Sequence, residues 1–258
     1  MARRLERIER LSDCETPAFE RRVADNLRAV RERIARACAA AGRSPDTVAV
    51  LAVTKGFGSE AVTAAIAAGL TDVGENYLQE AAAKFAALEP LATASARRHF
   101  IGRLQRNKCK RVAEIFDVVQ SVDDTAIAKA LDQAAREIGK KLDVLVQINI
   151  ASDDRAGISP GEAAAFADAV RALPNLRLRG VMAVGPADVA QVRDAFAQAS
   201  TTFEDLRTRI AGEPVLSLGM SGDLEAAIAA GSTMVRLGTA LFGERPAKQV
   251  SAPDGGEG

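Results

Sequence analysis

Eight short apolar runs, each parted from the next by a helix-like run, constrain this chain more than any other feature. The candidate strands are VAVLAVT (48–54), DVGEN (72–76), HFIG (99–102), DVVQSV (117–122), DVLVQINI (143–150), LRGVMAV (178–184), VLSLG (215–219) and TMVRLG (233–238). Helical patterns fill 59–68, 78–88, 104–115, 124–139, 160–172, 188–211 and 222–230. A run such as VAVLAVT is apolar on both faces, the mark of a parallel strand covered on both sides. Alternation of strand and helix predicts a parallel sheet. Eight strands between residues 48 and 238 favour closure into a single (β/α)8 TIM-type barrel over an open doubly wound sheet.

The eighth strand is followed only by TALFGERP and a polar stretch, so no long closing helix follows it. An earlier helix is predicted from Thr16 to about Ala41, with Phe19, Val23, Leu27, Val30 and Ile34 at helical spacing and Gly42 and Pro45 at its end. It is expected to pack where the closing helix would lie. The expected organisation is a charged N-terminal tail over 1–15, one barrel domain over 16–244, and a disordered tail over 245–258. In 124–139, Asp123 or Asp124 is the expected N-cap and Gly139 the C-cap.

Composition narrows the class. The chain has 258 residues, 48% of them apolar and only 4% aromatic, which gives an aliphatic core. Lys+Arg and Asp+Glu both number 34, so no global field favours nucleic acid or an anionic membrane. The basic run RRHFIGRLQRNKCKR (97–111) reads as a solvated loop and helix, or else as a weak anion or nucleic-acid patch; Phe100 is its one aromatic. Cys14, Cys38 and Cys109 are odd in number and form no CxxC, and His99 is the single histidine. Neither a disulfide framework nor a zinc site is expected, and free thiols suit a reducing compartment. MARRLERIER has no apolar core of a signal peptide, and no run approaches the roughly 20 apolar residues of a membrane span. The expectation is a soluble cytoplasmic protein without a metal.

Barrel chemistry gathers at the C-terminal ends of the strands. Those ends offer Lys55, then Glu75 and Asn76, then His99, Ser121, Asn149, Met182 and Ser217, and last Arg236, Gly238 and Thr239. There is one amine, one guanidinium and several neutral polar groups, with no clear carboxylate pair. Lys55 taken by itself is a solvated or salt-bridged lysine; partly desolvated, it is a nucleophile able to condense with a carbonyl. In LSLGMSGDLEAAIAAG (216–231), Gly219 and Gly222 let the backbone approach a ligand. Ser221 either caps the helix that follows or helps bind a phosphate there. The hydrolase elbow GxSxG is absent. TMVRLGTALFG (233–243) places Gly238 and Thr239 in the adjacent loop, and loops after strands seven and eight form the usual phosphate site of such barrels. Arg236 faces the barrel mouth or pairs with a buried carboxylate. A phosphate cup opposite an imine-forming lysine suggests pyridoxal 5′-phosphate, its aldehyde at Lys55 and its phosphate at Ser221, Gly238 and Thr239. Arg236 at the pyridine nitrogen would not give up its proton, which weakens the ring as an electron sink.

At these residues the chain resembles the pyridoxal phosphate homeostasis proteins, single-domain relatives of the alanine racemase barrel. The matching segments are LAVTKGF, VGENYLQE, HFIGRLQRNK, LRGVMAV and LSLGMSGDLEAAIAAGSTMVRLGTALFG, spread from about residue 20 to 243. The resemblance implies that Lys55 carries the cofactor as an aldimine. It also implies that Ser221, Gly238 and Thr239 hold the phosphate, that Arg236 sits at the ring nitrogen, and that Asn76, His99, Met182 and Ser217 line the pocket. Gly219 joins this cofactor-binding set. Three positions depart from the family pattern: Arg103, often Pro; Arg106, often Ser or Thr; and Arg155, often Lys, where the arginine cannot form an imine as a lysine could.

A racemase of this type needs a second base, a tyrosine from an additional domain, and Tyr77 is the single tyrosine. The first expectation is therefore a binding and regulatory protein for vitamin B6 homeostasis, holding pyridoxal phosphate without robust catalysis and handing it to cofactor-accepting apoenzymes. The alternatives are a slow racemase-like enzyme on the same cofactor and, third, a lysine-imine aldolase. Without a second domain to build a dimer, a monomer is expected.

Overall fold

The computed structural model describes residues 2–88, 96–151 and 155–245, with side chains from Pro17 onward. Its strands are β1 (Ala49–Val53), β2 (Asp72–Glu75), β3 (Arg97–Phe100), β4 (Val118–Val122), β5 (Leu142–Ile148), β6 (Leu176–Ala183), β7 (Val215–Ser217) and β8 (Met234–Leu237). All neighbours pair in parallel, and β8 returns to β1, so the sheet closes in the order of the sequence. The helices are α1 (Ala2–Ala40), α2 (Ser59–Ala67), α3 (Leu78–Ala86), α4 (Cys109–Ile115), α5 (Thr125–Glu137), α6 (Ala163–Arg171), α7 (Val192–Leu206), α8 (Leu224–Ala229) and α9 (Thr239–Phe242).

All eight expected strands form. β3 starts at Arg97, upstream of the HFIG run, because Arg97 stands opposite Asp72 in register and pairs with it at 2.9 Å. A charge pair thus extends a strand that apolar pattern alone would begin later. The helix expected over 188–211 is shorter, with a single 3-10 turn at either end, Val189–Gln191 and Arg207–Arg209. Asp124, not Asp123, caps α5 by accepting from the Ile127 N–H at 2.9 Å; the C-cap is Ile138 rather than the expected Gly139, which follows it at φ +65°.

α1 fills the closing position. It packs against α2, α8 and α9, and Val23, Leu27, Val30, Ile34 and Cys38 form its buried stripe. Phe19 stacks on Phe242 with ring centroids 6.4 Å apart. The helix starts at Ala2, well before the expected Thr16, since Arg, Leu and Glu in this stretch are good helix formers. The tail proposed for 1–15 is therefore helical in its backbone from Ala2, and its side chains lie outside the described set. Of the tail proposed for 245–258, Arg245 alone is described.

Candidate functional site

At the C-terminal mouth of the barrel is a cavity of about 380 Å3, within the roughly 300–1,000 Å3 range of small-molecule sites. Lys55, Asn76, Met182, Ser221, Arg236, Gly238 and Thr239, all expected from sequence, line it. Val53, Phe57, Ile101, Val184, Met220, Gly222 and Arg245 complete the lining. The sequence singles out Gly222 only for its backbone and places Arg245 in the tail.

Lys55 lies two residues past β1, and the turn that carries it is anchored on both sides. Thr54 donates its hydroxyl to Glu75 Oε1 at 2.5 Å and its carbonyl accepts from Lys84 Nζ at 2.6 Å. The Gly56 N–H donates to Glu80 Oε1 at 2.5 Å. Lys84 is buried between the two carboxylates, 2.5 Å from Glu75 and 2.7 Å from Glu80. Burial pushes the Glu75 carboxyl above its ordinary range against the pull of Lys84 and Thr54. Burial also pushes the Lys55 amine down, and the Arg245 and Arg236 cations push it further. Lys55 is thus deprotonated at lower pH than an ordinary lysine, which makes it a better nucleophile.

Across the mouth, Ser221 and Thr239 bring their hydroxyls to 3.3 Å of one another. Ser221 is not the cap of α8: Asp223 holds that position, and its carboxylate accepts from the Met220 N–H at 2.5 Å. Ser221 is thereby left to the cavity. Gly219 turns the chain beneath it at φ +91°, and a Cβ there would lie 2.5 Å from that of Ala227. Gly219 does not line the cavity; its carbonyl accepts from the Arg236 N–H at 2.9 Å.

Arg236 is buried on the cavity floor. Nη1 donates to the Ser217 carbonyl at 2.7 Å and to its hydroxyl at 2.9 Å, and Nη2 donates to the Ala183 carbonyl at 2.8 Å. Among the described residues it pairs with no carboxylate, contrary to the buried salt bridge weighed above. Burial lowers its pKa to about 10, so it stays charged at neutral pH. Ser217 lies under Arg236 rather than on the cavity wall. His99 is lower still, buried and bonded to Asp72 and Gln120. Of the remaining strand ends, Ser121 donates to the Gly102 carbonyl at 2.6 Å, and Asn149 holds the β5–α6 loop through the Arg155 carbonyl at 3.1 Å. Arg155 reaches the Gly185 carbonyl at 2.6 Å. Arg103 and Arg106 do not line the cavity.

A lysine amine, two converging hydroxyls and a buried guanidinium suit a ligand carrying a carbonyl, a phosphate and a ring acceptor. Asn76 adds a further mark, for its Oδ1 is buried without a hydrogen-bond partner among the described residues. Residues 25–246 match the family model described as the alanine racemase N-terminal domain. The pyridoxal phosphate homeostasis protein of Escherichia coli is 45% identical over 227 residues, 86% of this chain and 97% of its own. The protein of the same name from Pseudomonas aeruginosa is 46% identical over 226 residues, again 86% of this chain and 96% of the other. This chain belongs to the pyridoxal phosphate homeostasis protein family. The solved structure of PipY of Synechococcus elongatus with PLP bound superposes with a TM-score of 0.74 at 33% identity, covering 86% of this chain and all of PipY. Membership accounts for the closed barrel. Among the described residues no group of His, Cys, Asp or Glu could hold a metal ion, and no helix is long and apolar enough to cross a membrane.

Proposed function

We propose that this protein binds pyridoxal 5′-phosphate at Lys55 and serves its homeostasis in the cytoplasm, holding the cofactor and releasing it to apoenzymes that need it. The observation that carries this is the half-buried Lys55 facing the paired Ser221 and Thr239 hydroxyls across one cavity. The cofactor supplies an aldehyde able to condense with amines. Lys55 offers the amine, and its lowered pKa leaves more of it neutral at physiological pH. Ser221, Gly238 and Thr239 offer hydroxyls and loop N–H groups to the phosphate. Asn76 offers its unpartnered oxygen, and Met182 packs the wall. Arg236 turns N–H donors toward the ring nitrogen and keeps its own proton.

This set favours holding over turnover. Among the described lining residues the titratable ones are Lys55, Arg236 and Arg245, so one amine is the single candidate base. A two-base racemase needs a second acid–base group on the opposite face. Tyr77 does not line the cavity and is 63% exposed. Absorbance titration with pyridoxal phosphate tests the reading. A visible band that borohydride abolishes, present in the wild type and missing in Lys55→Ala, supports it. An equal band in Lys55→Ala would move the lysine-bound reading aside. Loss of the α-proton from an amino acid at multiple turnovers would bring the racemase alternative forward.

A further inference from the structure

Below Arg236 a single file of buried polar side chains runs down the barrel axis. Arg236 Nη1 donates to Ser217 Oγ at 2.9 Å, and Ser217 Oγ donates to Gln120 Oε1 at 2.8 Å. Gln120 Nε2 meets His99 Nδ1 at 2.9 Å, and His99 Nε2 meets Asp72 Oδ1 at 2.8 Å. The five come from five strands: β8, β7, β4, β3 and β2.

Only one set of hydrogen positions satisfies this file. Burial opposes ionisation of Asp72, but His99, Arg97 and Thr71 outweigh it and hold the carboxyl well below its ordinary range. Burial pushes the His99 pKa down against the pull of Asp72, so the ring is neutral. A neutral ring beside a carboxylate carries its hydrogen on Nε2, and Nδ1 must accept. Gln120 therefore presents its amide nitrogen to His99 and its oxygen to Ser217. The Ser217 hydroxyl must donate downward, and its lone pair receives Arg236. Reversing the Gln120 amide would set two acceptors face to face at His99. Every bond thus donates in one direction, from guanidinium to carboxylate, through three neutral groups. Of the five N–H donors of a guanidinium, three are committed to Ser217 and Ala183, and two remain for the cavity.

We propose that Gln120 is a positioning residue for the cofactor site: it passes the polarity of Asp72 to Arg236 through Ser217 and so sets which N–H the guanidinium turns to the ring nitrogen. This rests on the placement of Arg236 at that nitrogen. Gln120 itself touches no ligand.

The test uses the full chain, titrated with pyridoxal phosphate, as wild type, Gln120→Met, Ser217→Ala and the double variant. It reads the Kd, the wavelength of the visible band at saturation, and the mass of the borohydride-fixed adduct. Each single variant is expected to weaken binding about tenfold and to move the band, while borohydride still fixes one cofactor per chain. The double variant is expected to bind no more weakly than the worse single one, because both cut the same file. Wild-type Kd and band in the single variants, with only a lower Tm, would show that Gln120 merely packs the core and would overturn the proposal. So would losses that add in the double variant. Should Gln120→Met not fold, Gln120→Glu takes its place, since it keeps the side-chain length and removes the amide nitrogen that faces His99; a wild-type Kd and band there would overturn the proposal in the same way. A wild type with no borohydride-fixed adduct is a different failure: the Lys55 reading falls, and this proposal with it.

Discussion

Three features act on the Lys55 amine, and its pKa is lowered. Its neighbour Thr54 and the next residue, Gly56, are tied down, its stem is half-buried, and two arginines face it. Arg245 lies over Gly56, close enough that a Cβ there would meet its Cδ at 2.9 Å. Removing that cation removes repulsion and lets the Lys55 pKa rise. Arg245→Met should therefore shift the pH midpoint of cofactor capture by Lys55 to the alkaline side, followed as the rate at which the visible band appears. An unchanged midpoint would mean that burial alone tunes the amine. Lys84 is the hidden support of the same turn. Lys84→Met leaves Glu75 buried without its cation, and the expected cost is about 3–5 kcal/mol in chemical unfolding. A loss below about 1 kcal/mol would show that the cluster is not what holds the β1 end.

At the scale of elements, α1 does more than close the barrel. Arg33 donates to the Ser221 carbonyl at 3.1 Å and grips Glu225 with two bonds of 2.9 Å. Asn26 donates to the Leu241 carbonyl at 2.8 Å. One helix thus braces both loops of the proposed phosphate cup, after β7 and after β8. The Arg33–Glu225 pair is partly exposed, and such pairs contribute about 0–1 kcal/mol. Arg33→Met should raise the Kd for pyridoxal phosphate about two- to fivefold in an equilibrium titration, with little change in Tm. A wild-type Kd would show that the cup keeps its shape without the brace. Leu27, 2% exposed, belongs to the packing stripe instead. Leu27→Ala should cost about 2–5 kcal/mol of stability in denaturant while leaving the Kd at low denaturant unchanged.

For the whole molecule, the closed sheet leaves no edge strand to pair with another copy. The large exposed apolar side chains among the described residues, Tyr77, Ile138, Val189 and Met220, stand beside different elements of the chain. Singly exposed residues of this kind do not build an obligate interface. We therefore expect light scattering to give the mass of one chain, 27.1 kDa, with and without cofactor. A dimer mass would overturn this expectation.

Much of this was legible in the chain itself. Strand and helix periods are local, so the eightfold alternation, the closing role of α1 and the place of Lys55 just past β1 could be read from spacing alone. The loops of Ser221 and of Gly238–Thr239 carried their own glycines and hydroxyls. What local pattern does not encode is depth along the barrel axis, which depends on the register between strands. His99 therefore read as a pocket residue, yet Asp72 and Gln120 hold it well below. In the fourth strand Ser121 drew notice, but it bonds the Gly102 carbonyl while Gln120 enters the interior file. Lys84, Glu75 and Glu80 were charges in a helical pattern until folding brought them under the β1 turn. Arg245 read as part of a polar tail, and only the return of β8 to the side of β1 sets it beside Lys55. Sequence determined which chemical groups the barrel carries to its mouth; tertiary structure decided which of them are buried together, and burial is what changes their charge and reactivity.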